Sequence, residues 1–180
     1  AETGHNDDFG VMPAEITDEQ LLAHVPEWHF AAYRARYPSA SEPLAAGQTL
    51  LVEAADTVTS APELVRLTLN LAMTHTDATR SVYGKRLVYG GHTIAIASKQ
   101  LAMGLPHILQ ILAWYRCDHV GPVFEGDVLS SQITIKETQK VQDATVAKLA
   151  VEVFAKRGPE APSDLPDAKV LDWSLAVLLP

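Results

Sequence analysis

Hydrophobic residues change their spacing partway along the chain. In residues 61–72 they recur at helical spacing, with Leu64, Leu67 and Leu71 on one face. From residue 111 onward apolar and polar residues alternate, which is typical of half-buried antiparallel strands. The clearest alternating segments are residues 129–135, 147–153 and 171–177, and residues 111–118 are a further strand candidate. Together with a strand at residues 49–58, this order of helices and strands predicts an α+β fold.

The central helix of this fold is predicted at residues 92–104. Its only clear charge is Lys99, so most of its circumference should be buried. A curved antiparallel sheet wrapped around this helix would bury it. The preceding helix, residues 61–72, is predicted to begin after an N-cap at Ser60, with Pro62 in its first turn.

The N-terminal part of the chain differs from the rest. Residues 17–20, Thr-Asp-Glu-Gln, form a capping box that predicts a short helix. A second helix is predicted at residues 28–37, and a stretch rich in Ser, Pro, Ala and Gly follows it. We expect residues 1–45 to be an N-terminal helical appendage or inter-domain linker, and residues 46–180 to form one domain.

Composition limits the classes of function. Of the 180 residues 47% are hydrophobic and 20% charged, as in a globular domain. The net charge of −8 argues against a nucleic-acid partner. The single cysteine, Cys117, cannot form an intrachain disulfide or a cysteine metal cluster, and apolar runs are too short for a membrane span. We therefore expect a cytoplasmic protein, and the first residue, Ala1, suggests a processed chain or a piece of a longer one.

The candidate chemistry lies between residues 70 and 104. Free N–H groups at Gly90-Gly91, before the central helix, lie at the positive end of its dipole and could stabilise charge on a carbonyl oxygen. His75 could move a proton, so these residues suit acid/base chemistry on a carbonyl compound. A local basic cluster could bind an anionic part of the ligand. The cluster consists of Arg80, Lys85 and Arg86.

Each of these features also has a purely structural interpretation. His75 could cap a helix end, the double glycine could be a plain turn, and the basic cluster could be a solvated loop. Asp77 could brace its loop, and with His75 it offers only two metal ligands, so no metal site is expected. His92 is expected to be neutral at the helix start, and neither His92 nor His119 is assigned a role.

The order of these motifs resembles the MaoC-like dehydratase and (R)-specific enoyl-CoA hydratase family, which has the hot dog fold. Residues 75–77, His-Thr-Asp, match the family's His-x-Asp, and Gly84 matches its intervening glycine. Tyr89-Gly90-Gly91 lies where the family's His-Gly opens the central helix. Gly-Pro-Val-Phe-Glu-Gly-Asp at 121–127 resembles its turn between strands, and the match covers about residues 48–155.

Two segments are similar to a narrower group. Residues 86–93 and 117–122 look like the carboxy-terminal half of double hot dog acyl dehydratases of the mesaconyl-CoA hydratase type. This resemblance implies that the chain is a second half with its linker. It also implies a partner, either a second copy in a homodimer or another hot dog half of the same polypeptide.

The chain departs from the family at one catalytic position. The family's Asp falls on Asn70, and its Asn and Pro fall on Ala72 and Met73. An asparagine side chain can hydrogen-bond a water molecule but cannot take up its proton. His75 would then carry the proton transfer alone or with another group.

The resemblance implies a hydro-lyase that acts on a 2-enoyl-CoA, with short branched or dicarboxylic acyl chains among the group's substrates. His75 would move the proton, Asn70 would orient water and Gly90 would polarise the thioester carbonyl. The expected substrate-binding residues are Arg80, Lys85, Arg86, Tyr89 and Gly91. No metal, flavin or nicotinamide cofactor is implied.

Two alternatives remain open. Asn70 favours a non-catalytic hot dog half that acts as a dimerisation and substrate-tunnel module. A thioesterase is a third possibility, but it would usually need a carboxylate on or near the central helix, and residues 92–104 contain none.

Overall fold

A five-stranded antiparallel sheet, with a long helix packed on one face, forms the centre of the fold. The computed structural model describes residues 16–180. The strands are β1 (Thr49–Thr57), β2 (Gln110–His119), β3 (Val128–Val141), β4 (Ala144–Lys156) and β5 (Ala168–Leu179). The helices are α1 (Asp18–Leu22), α2 (Phe30–Arg36), α3 (Ala61–Leu67) and α4 (Gly90–Gly104), and short 3-10 turns lie at Pro38–Ser41, Met73–His75 and Ala78–Arg80.

The sheet order is β1-β3-β4-β5-β2, so the sheet is not closed and β1 and β2 are its edges. All four pairings are antiparallel, which confirms the predicted α+β class. The central helix begins two residues earlier than predicted, at Gly90. Within residues 16–180, no helix is long and apolar enough to cross a bilayer.

The inner face of the sheet packs against α4. Alternation along β4 and the first half of β3 buries about one side chain in two, as the sequence pattern predicts. The buried side chains on this face include Leu129, Ile133, Leu149, Val151, Trp173 and Leu175, and they meet Ala97 and Leu101 of α4. Removing such area from water stabilises the fold by about 25 cal/mol per Å².

The outer face of the sheet is covered by the N-terminal helices. Leu21 of α1 and Phe30 of α2 are buried against Val146 of β4 and Leu178 of β5. The Thr17 capping box of α1 is present as predicted. The end of β5 is consequently buried on both faces rather than half-buried.

Helix α3 is shorter than predicted, and the predicted apolar face was wrong. The hydroxyl of Thr68 donates to the Leu64 carbonyl at 2.8 Å, and Leu69 adopts a left-handed backbone with φ of 54°. A helix cannot continue through that conformation. Leu67 and Leu71 are 80% and 91% exposed, so helical spacing here does not mark a core face.

The start of α3 also differs from prediction. Ser60 has a φ of 58°, in the left-handed region, and its side chain makes no capping hydrogen bond. Pro62 lies in the first turn as predicted, where its fixed φ suits a helix. The helix start is therefore set by backbone geometry and proline rather than by a serine cap.

The middle of α4 is joined to the sheet by a buried polar network. Gln100 is fully buried, and its amide donates to Asp56 Oδ2 at 2.8 Å and to the Leu129 carbonyl at 2.9 Å. The Ser131 hydroxyl donates to Gln100 Oε1 at 2.6 Å. Hydrogen bonds from Lys99 and then Gln100 lower the pKa of Asp56. Satisfied networks of this kind fix the register of a helix on a sheet.

Candidate active site at the start of the central helix

His75 lies beside the segment that leads into α4. Its Nδ1 is 2.9 Å from the Leu87 carbonyl oxygen. Because a carbonyl only accepts hydrogen bonds, Nδ1 carries the proton and Nε2 retains the basic lone pair. The imidazole meets the Tyr89 ring edge-on, with ring centroids 6.0 Å apart. The hydrogen bond therefore fixes the tautomer of a histidine whose Nε2 is the available base.

The first turn of α4 presents backbone donors. Gly90 and Gly91 are its first residues, and their N–H groups have no partner inside the helix. They lie at the positive end of the helix dipole. A Cβ on Gly91 would lie 2.5 Å from the Tyr89 ring, so that ring lies directly over this glycine. Developing negative charge on an oxygen would be stabilised here.

A buried ion pair supports this turn. Asp127 is fully buried and accepts hydrogen bonds from the Arg157 guanidinium and the Gly158 N–H, each at 2.8 Å. It closes the turn that contains Val123, whose carbonyl accepts the Val88 N–H at 2.8 Å. Asp127 therefore positions the segment that leads into Gly90. Arg157 could not be identified from local sequence patterns, because its partner Asp127 is 30 residues away along the chain.

Asn70 lies on the same loop as His75. Its Oδ1 accepts the Ala72 N–H at 2.9 Å, which is an Asx turn. Its side-chain amide remains available as a donor, and among the described residues it makes no hydrogen bond to His75. The structure thus brings the two residues onto one loop without joining them.

The basic cluster faces acidic side chains. Lys85 Nζ is 3.9 Å from Glu160, and Arg86 is 3.8 Å from Glu125. Lys85 and Arg86 line a cavity of about 600 Å³ together with three glutamates, whereas Arg80 is exposed at the end of a 3-10 turn. Long, exposed ion pairs contribute little, so an anionic ligand could displace these carboxylates at small cost. The charges of Lys85 and Arg86 are therefore balanced by glutamates of the protein itself.

Two further imidazoles flank the first turn of α4. His92 Nδ1 is buried and has no partner among the described residues, and burial lowers the pKa of His92 against the opposing effect of Glu125. His119 packs against Gly90, and burial likewise lowers its pKa. Strand pairing that is distant in sequence places His119 here, so the local sequence pattern could not assign it.

Asp77 has a structural role in this loop. Its Oδ1 accepts from the Thr79 N–H at 2.9 Å and from the Thr79 hydroxyl at 2.7 Å. These hydrogen bonds lower the pKa of Asp77. Within the part of the chain that the structure describes, no three His, Cys, Asp or Glu side chains are arranged to hold a metal.

Comparison with known sequences identifies two curated relatives. No family model matches the chain. It is 34% identical over 96 residues to a mesaconyl-CoA hydratase from Cereibacter sphaeroides, covering 53% of this chain and 28% of that protein. It is 30% identical over 107 residues to a beta-methylmalyl-CoA dehydratase from Chloroflexus aurantiacus, covering 54% of this chain and 30% of that protein. The matches span less than a third of either relative.

Solved structures share the fold over nearly the whole chain. A conserved hypothetical protein from Mycobacterium tuberculosis, described as having a double hotdog fold, has a TM-score of 0.72 at 40% identity, and the match covers 94% of this chain and 48% of that one. A protein from Chloroflexus aurantiacus, provisionally named a MaoC domain protein dehydratase, has a TM-score of 0.76 at 22% identity, with 94% and 54% covered. The chain therefore has the hot dog fold and resembles the MaoC-like dehydratases, as its motifs predicted.

Proposed function

We propose that this protein adds water to, or removes it from, the double bond of a 2-enoyl thioester of coenzyme A. The two curated relatives are named as a hydratase and a dehydratase of CoA thioesters. The observation that carries the proposal is the hydrogen bond from His75 Nδ1 to Leu87, which leaves Nε2 as a base beside the first turn of α4. Short branched or dicarboxylic acyl chains are the proposed substrates, by analogy with those relatives.

The proposed chemistry needs one base and one oxyanion site. In hydration, His75 Nε2 takes a proton from water while the water oxygen bonds to C3 of the substrate. The C2=C3 electron pair moves toward the thioester oxygen, which the Gly90 N–H stabilises. The imidazolium then returns its proton to C2, so one water molecule is added in total. Dehydration is the same sequence in reverse.

The remaining residues would bind and orient. The free amide of Asn70 would donate to the attacking water. Tyr89 and Gly91 would border the acyl group, and Arg80, Lys85 and Arg86 would contact the coenzyme A phosphates. No metal, flavin or nicotinamide takes part in this scheme.

A second hot dog unit is part of the proposal. The chain matches about half of the mycobacterial double hot dog structure. Large apolar side chains beside the site are exposed, including Leu69 at 80% and Val82 at 93%. A neighbouring unit would cover such a surface. That unit would be either a second copy or another half of the same polypeptide.

Hydration is tested by following the absorbance of short 2-enoyl-CoA substrates with the protein at its natural length. We expect turnover, and His75→Ala should lower kcat by about 10²- to 10⁴-fold, because general acid/base catalysis contributes that much. His29→Ala, at an exposed histidine, is the matched control. Turnover that survives in His75→Ala would reject His75 as the base, and the absence of turnover in the natural protein would reject the proposed reaction.

A non-catalytic hot dog half is the second candidate. It is favoured by the Asn70 side chain, whose oxygen is already used by the Ala72 N–H of its own loop. The variant Asn70→Asp separates the candidates. If this site is catalytic, a carboxylate that can share the proton should raise kcat by about tenfold or more. If the half is structural, Asn70→Asp and His75→Ala should both leave the activity of the natural protein unchanged.

A further inference from the structure

The imidazole of His119 occupies the space beside the first residue of α4. A Cβ built on Gly90 would lie 2.6 Å from His119 Nε2 and 2.9 Å from Cε1. Real Cβ atoms do not approach other atoms this closely, so only glycine at position 90 admits the ring in this position. The Nε2–Cε1 edge of His119 thus faces the residue whose N–H is the proposed oxyanion donor.

Strand pairing holds His119 in this position. It is the last residue of β2 and pairs with Leu171 of β5. The next residue, Val120, donates its N–H to the Val170 carbonyl at 3.0 Å. No hydrogen bond to the ring is found within residues 16–180, and the residue is exposed to solvent. Strand pairing therefore fixes the backbone of His119 beside Gly90, while the polar atoms of its ring remain free for a ligand.

The ring is suited to donate a hydrogen bond rather than a proton. Burial lowers the pKa of His119, and this effect outweighs the opposing carboxylate of Asp118. Asp118 is itself paired with Arg116. The positive end of the α4 dipole also disfavours a positive charge on the His119 ring. A neutral imidazole has one N–H donor and can polarise a carbonyl without transferring its proton.

We infer that His119 is a catalytic residue, whose Nε2–H donates a second hydrogen bond to the thioester carbonyl oxygen bound by the Gly90 N–H. The inference rests on the proposed function, because it names a further group in the same site. The inference also bears on position 70, where the resembling family has an aspartate. With asparagine at position 70, additional stabilisation of the oxyanion would compensate for the missing carboxylate.

The kinetic test compares His119→Ala with His119→Gln. Loss of one oxyanion donor typically lowers kcat by about 10²- to 10³-fold, and we expect a loss of that order in His119→Ala. Glutamine retains an N–H donor but does not titrate, so His119→Gln should recover at least about tenfold of that loss. His24→Ala, at an exposed histidine of the N-terminal segment, is the matched control and should keep full activity. Equal kcat values for His119→Ala and His119→Gln would overturn the inference.

A second measurement does not depend on turnover. A saturated acyl-CoA cannot be hydrated, and a ¹³C label at its thioester carbon isolates the carbonyl stretch in infrared difference spectra. We expect a lower stretching frequency on the natural protein and on His119→Gln than on His119→Ala. The same frequency on all three, or no binding to the natural protein, would overturn the inference. A natural protein that shifts the stretch but hydrates no enoyl-CoA would reject the proposed reaction while retaining His119 as a carbonyl ligand.

Discussion

The first turn of α4 and the middle of the same helix differ in whether their polar groups have hydrogen-bond partners. At Gln100 every polar atom of the side chain has a partner, and the residue is fully buried. At Gly90 and Gly91 the backbone donors have no partner inside the helix, and His92 Nδ1 is buried without one. The same helix therefore has a fully hydrogen-bonded side chain in its middle and unpaired N–H groups in its first turn.

The difference indicates where binding and chemistry can occur. A satisfied buried network has nothing left to offer a ligand and contributes stability and register instead. Unpaired donors that are held in place cost stability, and such costs are typical of functional sites. Asp127 and the Gln100 network hold α4 and the segment before it in place. The unpaired donors of the first turn would then bind a ligand in a fixed geometry.

The largest expected effect on stability comes from the ion pair behind the first turn. Asp127→Asn leaves the largely buried Arg157 without its counter-charge. Breaking a buried pair in this way costs about 3–5 kcal/mol, measured as the free energy of unfolding in urea. The exposed pair of Glu63 and Arg66 is the matched control, and Glu63→Gln should cost less than about 0.5 kcal/mol. Similar losses in both variants would show that Asp127 does not brace the turn.

The next effect tests the anchor in the middle of α4. Gln100→Leu leaves the Ser131 hydroxyl and the Leu129 carbonyl unpaired, which should lower the free energy of unfolding by about 1–3 kcal/mol. Activity per folded molecule should not change. Adding Ser131→Ala removes the unpaired hydroxyl, so the double variant should be more stable than Gln100→Leu alone. If the losses of unfolding free energy from Gln100→Leu and Ser131→Ala simply added, the two side chains would not form one hydrogen-bonded network.

The smallest effect concerns pH and His92. Its pKa in the folded protein lies below the ordinary value of 6.5, so the unfolded chain binds more protons between the two values. The contribution to stability is present above about pH 6.5 and falls as the pH drops through the folded-state pKa. In urea unfolding at pH 7.5 and 5.5, His92→Gln should lose less stability on acidification than the natural protein. The difference should be less than about 1 kcal/mol, because the ring is only partly buried. If both proteins lost the same free energy of unfolding on acidification, His92 would not contribute to the pH dependence of stability.

Most of the sheet could be predicted from the sequence, because apolar and polar residues alternate within each strand and this pattern is local. Alternation along residues 129–135 is confirmed by the burial pattern of β3. The prediction failed at α3, where leucines at helical spacing were taken as a core face. Leu71 lies beyond the end of α3, because Leu69 leaves the helical conformation. Leu67 is on the exposed side of α3, whose buried residues are Ala61 and Val65. A periodic pattern does not show whether another element is present to cover it.

Parts of the candidate site were beyond prediction because their contacts are long-range. The position of His119 against Gly90 depends on the pairing of β2 with β5. The glutamates that face Lys85 and Arg86 come from other loops. His75, by contrast, was predicted as a site residue from its motif, and that role stays a prediction. Its hydrogen bond to Leu87 was not predicted. Residue type and local order are readable from sequence, but partners that are distant in sequence are not.

The most direct test of the central claim places the same small substitution at both ends of α4. Gly90→Ala would push a methyl group into His119, and Gly104→Ala would push one into the side chains of Ile133 and Val52. If the first turn is the reactive end, Gly90→Ala should lower kcat/KM for an enoyl-CoA by about tenfold or more, since small misplacements of catalytic groups cost this much. Gly104→Ala should leave kcat/KM within about twofold of the natural protein, since no reacting group lies at that end. Equal losses in the two variants, or a larger loss in Gly104→Ala, would contradict the account.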